Sequence, residues 1–320
     1  MTAELHPEVL ALLAQQGGAG RFPAGMVGDE AAMQEYLQAG RSGIGREGVS
    51  AQQEVGAVSE GLLPSGRAFR AYTPTDQAQS MFLYLHGGGW VVGNLDMHDE
   101  LCRRLAQRAG SVVVSLDYRL APEHPFPAAL DDCFEAVSWM AKNAELGGGG
   151  ESRLIVGGTS AGGNLAAALA LRCRDHPVAD IALQVLMYPV LDSRMDSVSY
   201  GLFGDGPVLS RSQMEWYWKQ YVPQAEQRRD PLASPSWAKD LGGLPPAIIV
   251  VPECDPLRDE AEEYAERLHA AGVDVRVLRY AGQVHSFLRY IDVLTDADRA
   301  ISDVAEAVRE LAKPGARRGS

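Results

Sequence analysis

Apolar residues recur along this chain in two patterns. Short runs rich in Val, Ile and Leu occupy 81–85, 111–116, 153–156, 182–187, 247–251 and 274–278, each bounded by Gly, Pro, Asp or His. Near-continuous runs of that length fit strands buried on both faces of a parallel sheet. Between most of them, 99–108, 127–143, 161–175, 259–271 and 296–312 repeat apolar residues every three or four positions, the period of an amphipathic helix. Gly272 follows one of these helices where a left-handed C-cap belongs. Strand and helix in alternation predict an α/β fold, a mostly parallel sheet with helices on both faces. Two earlier segments, 53–58 and 68–73, are joined by Pro64-Ser65-Gly66. So short a turn cannot make a parallel crossover, so they are expected to pair antiparallel.

Two stretches fall outside the alternation. Residues 1–45 are helical in pattern but precede the first strand. Residues 193–240 are too long for an ordinary crossover and carry Trp216, Tyr217, Trp218, Tyr221 and Trp237. A connection of that length is a functional lid or an added subdomain, and its aromatics either pack it onto the body or line a pocket.

Composition narrows the function classes. The 320 residues are 46% hydrophobic and 22% charged, which excludes disorder, coiled coil or collagen as a description of the whole. No apolar run approaches the ~20 residues that span a bilayer. A formal charge of −13 repels phosphate backbones and anionic headgroups, so neither nucleic acid nor a membrane surface is an expected partner. The basic pair Arg317-Arg318 reads as a frayed terminus. Cys102, Cys133, Cys173 and Cys254 lie far apart with no metal-ligand spacing, so no metal site is expected, and buried reduced thiols point to a reducing compartment. The first sixteen residues carry acids and no basic start before an apolar core, unlike a signal peptide, so a cytoplasmic location is expected.

The sharpest local signal is Gly158-Thr159-Ser160-Ala161-Gly162, between a predicted strand and a predicted helix. In that context G-x-S-x-G is a nucleophile elbow: the turn holds the serine in a strained conformation, and only glycine fits two residues to either side. His86-Gly87-Gly88-Gly89-Trp90 directly follows another strand. Three glycines there cost backbone entropy and make sense where bare N–H groups must approach a ligand. The amides of Gly87, Gly88 and Ala161 are the expected oxyanion hole. Phosphate cradling is the rival, but no Lys-Ser/Thr pair follows and no G-x-G-x-x-G opens a helix here. A nucleophilic serine needs a base, and the base needs an orienting acid. His269 falls inside a helical run, whereas His285 lies in a loop after a strand, where a base belongs. Asp255 follows the strand 247–251 and is the leading acid, with Glu253 and Asp259 as neighbours in contention; Asp259 suits the start of the following helix.

Together with Asp117-Tyr118-Arg119-Leu120-Ala121-Pro122-Glu123 and Asp255-Pro256-Leu257-Arg258-Asp259-Glu260, these motifs resemble bacterial esterases of the hormone-sensitive lipase family. The likeness spans roughly residues 50–310, and Thr159, where many members carry Asp, suggests the Thr-bearing GTSAGG-type subgroup; Ser286 stands where Gly is common. The resemblance implies an α/β-hydrolase fold, no metal or organic cofactor, hydrolysis of carboxylic esters, a homodimer and a helical cap. The expected organisation is a cap segment 1–45, a catalytic core 46–192 and 241–313, a cap insertion 193–240 and a flexible tail 314–320. The expected catalytic set is Ser160, Asp255 and His285, with Trp90, Trp216 and Trp218 as candidate pocket residues. Arg119 and Glu123 are expected to tie loops together beneath the site. A soluble acidic protein with a compact cap suggests short to medium acyl chains, since a lipase working at an interface needs a large apolar surface. Two other classes remain: a ligand-binding protein that has dropped its base, and an amidase or acyltransferase using the same machinery. Retention of the full serine, acid, histidine set disfavours the first. Nothing in the residues separates the second.

Overall fold

The computed structural model describes residues 4–15, 30–42, 52–147 and 153–311. Among them, eight strands form one sheet: β1 Ala57–Leu62, β2 Ala68–Thr73, β3 Ser80–Leu85, β4 Ser111–Leu116, β5 Arg153–Thr159, β6 Ile181–Met187, β7 Ala247–Cys254 and β8 Val275–Val284. The order is β1-β2-β4-β3-β5-β6-β7-β8. β1 and β2, and β2 and β4, pair antiparallel; every other pair is parallel.

The helices are α1 Pro7–Gln15, α2 Glu30–Ser42, α3 Asp99–Ala109, α4 Ala128–Lys142, α5 Ala161–Asp175, α6 Val198–Phe203, α7 Arg211–Tyr221, α8 Arg258–Ala270 and α9 Thr295–Leu311. Side chains alternate across a strand, and both faces of this sheet are covered. Met81, Leu83 and Leu85 of β3 join one core layer with residues of α4, α5 and α8. Phe82 and Tyr84 of the same strand join the other, with α1, α3 and α9. All six residues of β3 are buried, which is why it reads as an unbroken apolar run. Each large side chain buried in this way contributes roughly 1.5–3 kcal/mol.

Two elements differ from the sequence expectation. The first strand is 57–62 and not 53–58. Its register, Leu62 opposite Ala68, brings it directly onto the Pro64-Ser65-Gly66 turn. It is an edge strand, exposed at all but one position, so no apolar period marks its limits. β8 runs on to Val284, six residues past the expected end, and delivers the next residue straight off the sheet. Gly272 has the expected left-handed φ of +79°, and the N–H of Val273 reaches back to the Leu268 carbonyl at 3.0 Å.

The 1–45 segment contributes α1 and α2, and 193–240 contributes α6 and α7. The tail 314–320, with Arg317-Arg318, lies outside the described residues, as do parts of 1–45. α1 docks beside the end of β8, where the N–H of His6 donates to the Gly282 carbonyl at 2.9 Å. The Glu8 carboxylate accepts from the N–H (2.9 Å) and hydroxyl (2.7 Å) of Thr295 at the start of α9. All four cysteines are free and buried. No helix among the described residues is long and apolar enough to cross a membrane.

Candidate active site

The carboxyl ends of four strands converge on one rim. His86 follows β3, Ser160 follows β5, Asp255 follows β7 and His285 follows β8. This is where an open parallel sheet places its ligands.

Ser160 joins β5 to α5 at φ 54° and ψ −117°. A non-glycine residue held there stores of order 1–3 kcal/mol of strain. The turn tolerates nothing but glycine on its flanks. A Cβ on Gly158 would lie 2.2 Å from the Leu85 carbonyl oxygen, and one on Gly162 would lie 1.9 Å from the same atom. The Ser160 N–H donates to the Met187 carbonyl at 2.9 Å, fixing the turn to the end of β6.

His285 stands between the other two residues. Its Nε2 is 2.9 Å from Ser160 Oγ and its Nδ1 is 2.7 Å from Asp255 Oδ2. A carboxylate only accepts, so Nδ1 carries the proton and the Nε2 lone pair of the neutral ring faces the serine hydroxyl. Asp255 is fully buried, and its second oxygen accepts the Leu257 N–H at 2.9 Å. The Tyr188 ring meets the imidazole edge to face at 5.1 Å. Ser286, next along, adopts left-handed φ 59°, a seat that glycine takes without strain.

The other acids of the segment do different things. Glu253 accepts the Gly282 N–H at 2.8 Å, bracing the strand end that leads to His285. Asp259 does not cap its own helix; its carboxylate accepts the Ser199 N–H at 2.7 Å, at the start of α6. His269 lies in the last turn of α8. Arg119 and Glu123 join their segment to helices and not to other loops: Arg119 grips buried Asp132 of α4 at 2.7 Å, and Glu123 binds Arg41 of α2 at 2.7 Å.

The glycine loop 87–89 runs beside the serine. A Cβ on Gly87 would lie 3.4 Å from Ser160 Cβ. Trp90 is fully buried under the loop, stacked on Tyr221 at 4.2 Å and tilted against Trp218 at 4.8 Å. Trp216 packs edge-on against Tyr36 of α2 at 5.8 Å. The aromatic that touches the glycine loop itself is Tyr217, whose ring a Cβ on Gly89 would meet at 2.3 Å. Its hydroxyl pairs with that of Tyr36. Tyr217 stands among the aromatics of 193–240 but outside the candidate pocket set of Trp90, Trp216 and Trp218, because its place is set by contacts with Gly89 and Tyr36 that no local spacing encodes.

Beneath the rim, burial governs the histidines. His86 is pushed down to about 4 by burial, so its ring is neutral. Its Nδ1 is 2.8 Å from the Gly87 carbonyl and must be the protonated nitrogen. His98 is held well below the usual imidazole range, first by burial and then by the neighbouring His86 ring and the Arg289 charge. It bonds the Tyr84 hydroxyl at 2.9 Å, and Tyr84 in turn meets Thr159 at 3.2 Å. Two surface cavities of about 560 and 570 Å³ lie away from this rim, one beside Arg104 and Asp298, the other beside Cys173 and Pro246. Among the described residues, no cluster of three or more His, Cys, Asp or Glu side chains could hold a metal ion.

Comparison with known proteins agrees with this architecture. A family profile described as alpha/beta hydrolase fold matches residues 82–289. An ethyl acetate hydrolase of Pseudomonas putida is 39% identical over 246 residues, 75% of this chain and 77% of its own length. The carboxylesterase NlhH of Mycobacterium tuberculosis is 41% identical over 221 residues, covering 68% of this chain and 69% of that protein. The solved structure of a hyperthermophilic esterase from the archaeon Pyrobaculum calidifontis superposes with a TM-score of 0.85 at 34% identity, over 97% of this chain and 99% of that one.

The buried histidines make a prediction about stability. His98 is neutral in the fold but takes up a proton when unfolded, so its folded value lies below its unfolded one. Its contribution is intact at neutral pH and is lost as pH falls through the ordinary imidazole range. Each pH unit below that range is worth about 1.4 kcal/mol. Urea titrations at pH 7 and pH 5 should show a stability loss about 2 kcal/mol smaller in His98→Gln than in the wild type; equal losses would rule the account out.

With a strained serine at a glycine-flanked elbow, a histidine and a buried acid on adjoining strand ends, and these relatives, the chain belongs to the hormone-sensitive-lipase-like family of α/β-hydrolase carboxylic ester hydrolases.

Proposed function

We propose that the carboxylesterase activity of this protein runs through Ser160, His285 and Asp255 and an acyl-enzyme. The observation that carries the reading is the unbroken line from Ser160 Oγ to His285 Nε2 (2.9 Å) and from His285 Nδ1 to Asp255 Oδ2 (2.7 Å). Ser160 Oγ attacks the ester carbonyl carbon while His285 Nε2 takes its proton. Asp255 keeps the ring in the tautomer that presents that lone pair, and its charge stabilises the imidazolium. The carbonyl oxygen, now an oxyanion, receives the N–H groups of Gly87, Gly88 and Ala161. The carbon–oxygen bond to the alcohol breaks, and the imidazolium returns its proton to the leaving alkoxide. Water then repeats the cycle: it gives a proton to His285, attacks the acyl carbon and releases the acid, and Ser160 regains its proton. Each oxyanion donor accounts for about 3–4 kcal/mol of transition-state stabilisation.

The described helix α2 and the insertion 193–240 form the cap over this rim. Tyr217, against Gly89, is the cap side chain best placed to wall the acyl site. Trp90 and Trp218, buried against each other, support the loop from behind, and Trp216 ties α7 to Tyr36. The substrates are short- to medium-chain carboxylic esters. The cap supports this: its two insertion helices span six and eleven residues, too little to open a broad apolar face. The P. putida relative is named for ethyl acetate, a two-carbon acyl ester.

Purified Ser160→Ala should fold as the wild type does and lose turnover of p-nitrophenyl esters by about 10⁴-fold or more, and His285→Ala should behave in the same way. Wild-type rates in either variant would end the proposal. Across an ester series, kcat/KM should peak between C4 and C8; faster hydrolysis of emulsified long-chain triglyceride than of dissolved C4 to C8 esters would overturn the chain-length assignment.

A further inference from the structure

The oxyanion donors Gly87 and Gly88 are backbone groups, so their aim depends on how their peptide planes are held. A trans peptide is rigid and planar, with its C=O and N–H pointing in opposite directions. Both units concerned, His86–Gly87 and Gly87–Gly88, are trans. Fixing the carbonyl of each therefore fixes the N–H on its far side.

Both carbonyls are held by hydrogen bonds. The Tyr118 hydroxyl donates to the His86 carbonyl at 2.7 Å. His86 Nδ1 donates to the Gly87 carbonyl at 2.8 Å. The two rings lie stacked, 4.2 Å between centroids and 14° between planes, so each braces the other. Tyr118 is itself immobilised. On one side the Asp117 N–H bonds the Ala68 carbonyl at 3.0 Å. On the other, the Arg119 N–H bonds buried Asp132 at 2.8 Å, and the Ala121 N–H bonds the Trp90 carbonyl at 2.9 Å. Arg41 of α2 crosses the same two strips of backbone, donating to the carbonyls of Val91 and Ala121, each at 2.9 Å.

We propose that Tyr118 is a positioning residue for the oxyanion hole: through the His86 carbonyl its hydroxyl aims the Gly87 N–H at the developing negative charge. Tyr118 touches no substrate and moves no proton. Burial holds its hydroxyl well above the ordinary phenol range, so it remains a donor throughout the working pH range. The segment 117–123 thereby acquires a role in the rate of reaction beyond its ties to α2 and α4. The inference rests on the oxyanion assignment of the previous section.

Tyr118→Phe deletes one oxygen and keeps the ring stacked on His86. Rates are normalised to sites titrated with a fluorophosphonate, so that any misfolded fraction drops out. The expected result is a kcat on p-nitrophenyl butyrate lowered about tenfold, less than the 10²–10³-fold that follows removal of a donor outright, with KM within twofold of the wild type. Affinity for a trifluoromethyl ketone, whose hemiketal oxyanion occupies the hole, should weaken by a similar factor. The matching thionoester provides the second readout, because its sulfur accepts hydrogen bonds poorly. On it the variant should lose threefold or less. That contrast is independent of the amount of folded protein and would not arise from a purely structural role. Unchanged kcat and ketone affinity, or equal losses on ester and thionoester, would overturn the inference alone. A wild type with no fluorophosphonate label on Ser160 and no ester turnover would instead remove the esterase mechanism, and this inference with it.

Discussion

Close backbone contact between β3, β5 and α5 sets the geometry of the whole rim. The Leu85 carbonyl sits where a side chain at either Gly158 or Gly162 would have to be. That contact brings the end of β3, and the glycine loop after it, alongside the serine turn. Ser160 pays for this with a strained φ, and the strain persists because the surroundings fix the turn from several sides. Its N–H is bound to Met187 and its carbonyl accepts from Asn164 and Val190. Any larger residue at 158 or 162 would push the end of β3 and its loop away from Ser160.

The same economy governs what lies above the rim. α2 and α7 both engage the loop that carries the glycines, α2 by hydrogen bonds and α7 by ring packing. The Gly93 N–H reaches the Gly40 carbonyl at 3.2 Å, Asn94 Nδ2 donates to the Arg41 carbonyl at 2.8 Å, and the Arg41 guanidinium binds the loop at Val91. The Arg41 guanidinium also holds the Glu123 carboxyl below the usual carboxylate range. The pair is partly exposed, so its strength lies in the paired, fork-like geometry more than in its charge. From the other side, Tyr217 presses on Gly89 and Trp90 stacks on Tyr221. A shift of either α2 or α7 would be transmitted to the loop through these contacts.

Much of this was legible in the residue pattern, for identifiable reasons. The central strands are buried on both faces, so burial alone marks them, and the amphipathic helices fall within a residue or two of their expected limits. Glycine-flanked Ser160 and the His86 loop were legible because only glycine fits where backbones touch. β1 was misplaced because an exposed edge strand carries no apolar period. The roles of Tyr118, Arg41 and Tyr217 were not legible either. Each depends on a side chain crossing to another segment, 32 residues away for Tyr118 and 50 for the Arg41 bond to Val91, and no local pattern encodes such a crossing. Asp259 lies in the first turn of α8, as its position suggested, while its carboxylate reaches the Ser199 N–H of α6, a contact that no local pattern encodes.

Glu260 joins the loop after β7 to the segment after β6. It is fully enclosed at the start of α8, five residues after Asp255, and one oxygen accepts the Leu191 N–H at 2.6 Å. That amide belongs to the segment after β6 that also carries Tyr188, the ring resting on His285. An ionised carboxylate here would set a second buried anion near Asp255. Burial, with the neighbouring Asp192 and Asp255 charges adding to it, pushes the Glu260 carboxyl well above its usual range and so favours its neutral form. A neutral acid still accepts from the loop amide. The loop that carries Asp255 and the loop under the imidazole are thus locked together.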